Sequence, residues 1–183
     1  TDTSSVTMFY LVLELCDNKA EMIILDELNQ ATLSLTSLTD ALKESMRFKP
    51  VGPVIMRCAI DYDKYNGIEI KRGTNIIINL VDLHRRTDAY HSSNEFNLKN
   101  VQDKELSNTG ENINNFIPFG AGPKECIGRW LAKTEMEVII EILIKQFRFK
   151  RAEGTKPLKE LETRWDIAQQ PTSPGILIVQ KRC

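Results

Sequence analysis

The sequence predicts a mainly α-helical fold with small β-sheets, forming one domain or a large part of one. Three observations carry that expectation. Residues 127–147 hold a long amphipathic pattern, with Ala132, Met136, Ile139, Ile140, Leu143 and Phe147 on one apolar stripe. Residues 1–16 turn apolar almost all round after a polar start, as a helix buried in a large protein does. Segments 54–61 and 73–80 are rich in Val and Ile, and Asn66-Gly67 between them is a strong hairpin signal. Hydrophobic content of 42% and charge of 27% are ordinary for a globular protein. A net charge of −1 argues against nucleic acid as the main partner. Cys16, Cys58, Cys126 and Cys183 form no C-x-x-C pair, and His84 and His91 make no metal cluster with them. No apolar run is long enough to span a bilayer, and no signal-peptide pattern is present.

In chain order, Asp2 and Thr3 read locally as an N-cap for the first helix. Residues 19–30 form a second helix, with Met22, Ile23, Leu25 and Leu28 available for its buried side. Residues 32–39 read as a linker. Ser37 and Asp40 have capping-box-like spacing for a helix over 37–49, which stops before Pro50. Glu44 and Arg47 lie three apart and share a face of it. Taken alone, such a pair is a solvated surface contact worth a few tenths of a kcal/mol. The sheet region, 53–80, has strands at 54–61, 68–70 and 73–80, with turns at Asn66-Gly67 and at 71–74. His84, Arg85 and Arg86 follow on a short helix, and 100–115 reads as an exposed polar loop. On helix 127–147, Arg129, Lys133, Glu137, Glu141 and Lys145 line a solvated stripe, with Glu141 and Lys145 in the favourable order for an ion pair. Residues 175–179 read as a closing strand.

The loop 119–128, Phe-Gly-Ala-Gly-Pro-Lys-Glu-Cys-Ile-Gly, organises the chain. Cys126 stands between glycines at the mouth of the long helix. A helix N-terminus favours negative charge, so a thiolate there can bind a metal. Gly120, Gly122 and Gly128 allow backbone to approach a large flat partner and supply positive φ where a turn needs it. Taken alone, Cys126 reads as well as a small buried hydrophobe.

The order Phe-x-x-Gly-x-x-x-Cys-x-Gly resembles the haem-ligand loop of the cytochrome P450 family, and Glu44-x-x-Arg47 stands upstream of it as in that family. The resemblance covers nearly the whole chain and is densest over 41–149. It implies the cytochrome P450 fold, with 1–183 the C-terminal part of a single domain and 1–16 the remnant of its distal helix. Cys126 is then the thiolate ligand to the iron of haem b. Arg57 and Lys124 pair with the haem propionates, Lys124 without the fork of the more usual Arg. Phe119, Gly120 and Gly128 lie about the cofactor, and Glu44 and Arg47 are a buried structural lock. Asp2 and Thr3 match an acid–hydroxyl pair that helps deliver protons to dioxygen.

Segments 44–51, 54–57 and 73–80, His84-Arg85 and Asn100 look like the steroid-aromatising branch of that family. Most of the wider family has Arg where Asn100 stands. By this resemblance the Met56 N–H meets the far oxygen of the steroid, and Val51, Val54, Ile167 and Ala168 wall the pocket. Gly52-Pro53 and Ala168 depart from the branch, as does Glu125, which puts a second negative charge beside the thiolate. The stretch between Asp2 and Glu44 is shorter than the resemblance leads one to expect.

The implied reaction is oxidation of a C19 androgen to an oestrogen, with O2 and with electrons from NADPH through NADPH–cytochrome P450 reductase. The implied location is the endoplasmic reticulum membrane, through an anchor not among these residues. Alternatives are hydroxylation of another sterol or lipid, an inactive truncated product, and a Cys-nucleophile hydrolase, which needs a His near Cys126.

Overall fold

A computed structural model describes residues 2–16, 20–29, 36–102, 115–165, 168–172 and 175–182. Helices α1 (Asp2–Leu15), α2 (Ala20–Asn29), α3 (Thr36–Phe48) and α6 (Arg129–Gln146) surround one core. Both α3 and α6 pack against α1 and α2. Tyr10, Leu11 and Leu13 of α1 are fully buried, so this helix is enclosed on most sides, as its all-round apolarity predicts.

On α2 the buried residues are Ile24, Leu25 and Leu28. Met22 and Ile23, expected on that side, are 52% and 51% exposed. The helical period explains this, because 24, 25 and 28 share one face and 22 and 23 point away from it. Helix α3 begins at Thr36, so 36–39 are helical and not linker, and Ser37 falls inside the first turn. Asp40 pairs with Lys43 at 3.2 Å.

Strand β1 (Val54–Cys58) pairs antiparallel with β4 (Asn75–Asn79), Val54 opposite Asn79 and Cys58 opposite Asn75. Both are shorter than expected. Between them β2 (Asp63–Tyr65) and β3 (Ile68–Ile70) form a hairpin, with Asn66 and Gly67 at φ 48° and 84°. Positive φ at both central residues is what a type I′ turn requires. The Asn79 side chain accepts from the Val81 and Asp82 N–H groups and starts α4 (Leu80–Leu83). His84 is the C-cap of that helix, so Arg85 and Arg86 follow it and do not lie on it.

Asn100 is buried on α5 (Lys99–Gln102) and Asn115 is buried too, so the ends of the expected exposed loop belong to the interior. Its middle, 103–114, lies outside the described residues. Helix α6 buries Met136, Ile140 and Ile144. Strand β5 (Phe147–Arg151) continues directly from it and pairs with β8 (Leu177–Lys181). The closing strand therefore starts at Leu177, two residues later than expected, and runs on to Lys181. Strands β6 (Thr163–Trp165) and β7 (Gln169–Pro171) pair in the last two-stranded sheet.

Candidate active site

Arg47 is fully buried, and all five of its N–H donors are used. Nε and Nη2 donate to the two Glu44 carboxylate oxygens at 2.7 and 2.8 Å. Nη1 donates to the carbonyls of His84 and Ser93, and Nη2 also to that of Glu95, at 2.8–2.9 Å. Glu44 accepts further bonds from the Asn97 backbone N–H and the Asn100 side-chain amide, at 2.8 and 2.9 Å. Asn100 thus completes the network as a neutral donor. The guanidinium also stands 5.0 Å over the Tyr90 ring.

His84 is fully buried beside this network, and its Nε2 accepts the Ile117 N–H at 3.2 Å. Burial, and then the Arg47 charge, push its pKa down to about 4, with the Met46 backbone pulling the other way. The ring is neutral at pH 7 and ties α4 to the segment leading into the cysteine loop.

In that loop Gly120 and Gly122 have φ of 76° and 73°. The Cys126 N–H donates to the Phe119 carbonyl at 2.9 Å, and the Arg129 N–H to the Cys126 carbonyl at 3.2 Å. These bonds hold Cys126 just ahead of α6, with its side chain exposed. Gly128 departs from expectation, because its φ is −82°. A Cβ there would lie 3.9 Å from Cys126 Sγ, in ordinary contact with the sulfur. The Glu125 carboxylate is ion-paired with Arg129, which offsets the negative charge expected beside the thiolate.

A cavity of about 540 Å³ opens over this loop. Its wall takes Thr3, Ser4 and Thr7 from α1, Val54, Ile55, Met56 and Arg57 from β1, Val51 and Gly52 from the segment before it, and Leu131, Ala132, Glu135 and Met136 from α6. Phe119, Gly120, Lys124, Cys126 and Gly128 of the loop also line it. The cavity therefore joins Thr3, Val51, Val54, Met56, Arg57, Phe119, Gly120, Lys124, Cys126 and Gly128, which lie far apart in the chain.

Other expected residues lie elsewhere. Asp2 is exposed and outside the cavity wall. Ala168 is buried in the core, and Ile167 lies outside the described residues. Glu44 and Arg47 are buried away from the cavity. Ser4, Thr7 and Glu135 were not anticipated. The helical spacing of Thr3 and Thr7 could have signalled Thr7, and an acid next to apolar Leu131, Ala132 and Met136 could have signalled Glu135.

Arg57 donates from Nη1 to the Met56 carbonyl at 2.9 Å. Its Nη2 would stand 3.9 Å from a Cβ on Gly120, so the guanidinium lies against the loop. Neither Arg57 nor Lys124 has a carboxylate partner among the described residues. The Leu80 N–H bonds to the Pro53 carbonyl and the Ala59 N–H to that of Thr74. Hydrogen-bonded pairs alternate along an antiparallel ladder, so the Met56 N–H points away from β4, on the free edge of β1.

A second hollow, of about 340 Å³, lies beyond the loop, with Lys43, Tyr90, Arg129 and Lys133 in its wall. Pro118, Phe119 and Gly120 belong to both walls. Burial, then the Arg129 and Lys43 charges, lower the Lys133 pKa. Neither histidine lines the main cavity, and the Nε2 of His84 is already engaged. The base that a cysteine-nucleophile hydrolase needs is therefore missing among the described residues.

A family model for cytochrome P450 matches residues 1–178. The chain belongs to the cytochrome P450 family. This P450 chain is 30% identical to aromatase of Equus caballus over 183 residues, 93% of this chain and 34% of that protein. Aromatase of Oryctolagus cuniculus is 28% identical over 190 residues, with coverages of 97% and 36%. Aromatase of Rattus norvegicus is 32% identical over 162 residues, with coverages of 81% and 30%. The chain spans about a third of the length of these relatives.

The family implies a haem, and the residues present fit one. The cavity offers apolar walls to a flat macrocycle and an exposed thiol beside a glycine. It also offers two cations, without carboxylate partners among the described residues, for a pair of propionates.

Proposed function

We propose that this chain belongs to a haem-thiolate monooxygenase that oxidises a steroid, with a C19 androgen as substrate and an oestrogen as product. O2 is the oxidant, and electrons come from NADPH through NADPH–cytochrome P450 reductase. The observation that carries the reading is the single cavity that holds Cys126, Arg57 and Lys124 together with Thr3 and the apolar residues of β1. The matched aromatases support the choice of steroid.

Haem bound by a thiolate supplies reductive activation of O2, because the sulfur donates electron density that favours O–O cleavage. The chain's own residues have separate tasks. Cys126 offers the sulfur, and the loop hydrogen bonds hold it in position. Arg57 and Lys124 anchor the propionates. Val51, Val54 and Phe119 exclude water and hold an apolar ligand. The free Met56 N–H donates to an oxygen at the far end of the steroid. The Thr3 hydroxyl holds a proton at the cavity edge.

This reading carries a location, the endoplasmic reticulum membrane, through a segment outside these residues. Among the described residues no helix is long and apolar enough to cross a membrane. The domain reading follows too: residues 1–183 are the C-terminal part of one P450 domain.

The test is an androgen titration of the haem-loaded full-length protein, followed at the Soret band. A saturable spin-state shift that disappears in Cys126→Ala is the expected result. A normal haem spectrum without a shift would remove the androgen and keep the monooxygenase. A second reading, hydroxylation of another sterol or lipid, is favoured by Gly52, which lines the cavity with nothing within 4 Å of a Cβ built there. That space suits a differently shaped ligand. Haem titration of the 183-residue chain tests the third reading, an inactive truncated product, which stoichiometric thiolate-bound haem would eliminate.

A further inference from the structure

We propose that the second hollow, beyond the cysteine loop, binds a small organic oxyanion: a carboxylate, or a sulfate or phosphate ester, on a flat apolar body. The inference does not depend on the steroid reading, because this hollow is separate from the cavity assigned to the cofactor. The two walls share Pro118, Phe119 and Gly120. A volume of about 340 Å³ suits a small molecule, since such sites span roughly 300–1,000 Å³. Part of the wall is apolar, with Val101, Phe116 and Phe119. Two buried polar side chains in it are already committed. The Tyr90 hydroxyl donates to the Asn115 carbonyl at 2.9 Å, and the Asn100 amide to Glu44 at 2.9 Å. The remaining ionic groups of the wall are Lys43, Arg129 and Lys133, with Glu125 as the one carboxylate among the described residues.

Lys133 is the open charge. It is half-buried, and no carboxylate lies within ion-pair distance of it among the described residues. Lys43 has Asp40 at 3.2 Å, and Arg129 has Glu125. Glu137, one turn along α6 from Lys133, accepts instead from the Thr39 hydroxyl at 3.0 Å. The Lys133 ammonium stands between rings, 5.9 Å from the centre of Phe119 and 5.6 Å from that of Trp130. Burial and the Arg129 and Lys43 charges lower its pKa, outweighing Glu137 and Glu125, which raise it. Cations gathered in a hollow with too few carboxylates cost stability, which a bound oxyanion offsets. A charge perturbed in this way within a concave site marks a functional position. The guanidinium of Arg129 and the ammonium of Lys43 keep N–H donors beyond those used in their ion pairs. Bonds from such donors to an oxyanion are charge-assisted, and the aromatic wall receives the apolar body.

The test is calorimetric titration of the haem-loaded full-length protein with 2-naphthoate, beside its neutral analogue 2-naphthalenemethanol. Saturable binding of naphthoate is expected, severalfold tighter than that of the alcohol and weaker as salt rises. Lys133→Met keeps the apolar stem and removes the charge. It should weaken naphthoate about tenfold, as loss of a hydrogen bond to a charged group does, and leave the alcohol unchanged. Lys133→Arg should keep most of the affinity. Lys43→Met, on a different helix, should weaken naphthoate severalfold, so the proposal does not hang on one variant. Absence of saturable naphthoate binding, or equal affinity for acid and alcohol, would overturn the anion site. Naphthoate binding that both Met variants leave unchanged, or that an androgen displaces, would lie outside this hollow and overturn it too.

Discussion

Glu44 and Arg47 illustrate how far a spacing of three can be read. It places both on one helix face, and the sequence alone makes them surface charges. Their burial comes from the carbonyls of His84, Ser93 and Glu95, which the chain folds back from more than thirty residues away. No local pattern announces that return, so only the family resemblance pointed to burial. Glu44→Ala is expected to cost about 3–5 kcal/mol, because it leaves a buried guanidinium unpaired. Urea unfolding of the variant beside the parent measures it. Asn100→Ala removes a neutral donor and should cost less, about 1–3 kcal/mol. His84 gives a pH signature. Its folded pKa of about 4 lies below the unfolded value of 6.5, so the unfolded chain takes up the proton first. The stabilising contribution is complete above pH 6.5 and is lost as pH falls towards 4, amounting to about 3 kcal/mol. His84→Gln should flatten that part of the stability–pH curve, as read from urea midpoints at a series of pH values.

Among the elements, those set by local signals were the most legible. Asn66-Gly67 dictates its hairpin, and the apolar stripe of α6 marks a long helix. Strand β5 was hidden because it continues from that helix without a break, and its partner β8 comes only after β6 and β7. The buried side of α2 was misjudged because four apolar residues fall within one turn and a half, and only packing decides which of them face inward. The cysteine loop separates two kinds of glycine. Gly120→Ala forces a side chain to a φ of 76° and should cost about 1–2 kcal/mol, although nothing lies closer than 3.8 Å to the new Cβ. Gly128→Ala keeps an ordinary φ and brings its Cβ only into ordinary contact with Cys126 Sγ, so it should leave both stability and haem uptake almost unchanged. Thermal unfolding, paired with haem uptake, separates the two effects.

At the scale of the whole molecule, a helical core with small sheets was legible, whereas the cavity was not, because its wall draws on α1, β1, the cysteine loop and α6. Only the resemblance brought those segments together beforehand, and it did so without Glu135. The outer surface carries Ile60, Ile127 and Trp130 at 88%, 102% and 72% exposure. Apolar surface of this extent favours association. Ile127→Glu is expected to reduce self-association in sedimentation while moving the unfolding free energy by no more than about 0.5 kcal/mol. The strip formed by Pro118, Phe119 and Gly120 stands between the two hollows and belongs to both walls. A ligand seated in either hollow therefore touches the same strip, and Trp130, joined to Phe119 through the Lys133 ammonium that stands over both rings, should report by its fluorescence when the main cavity is filled.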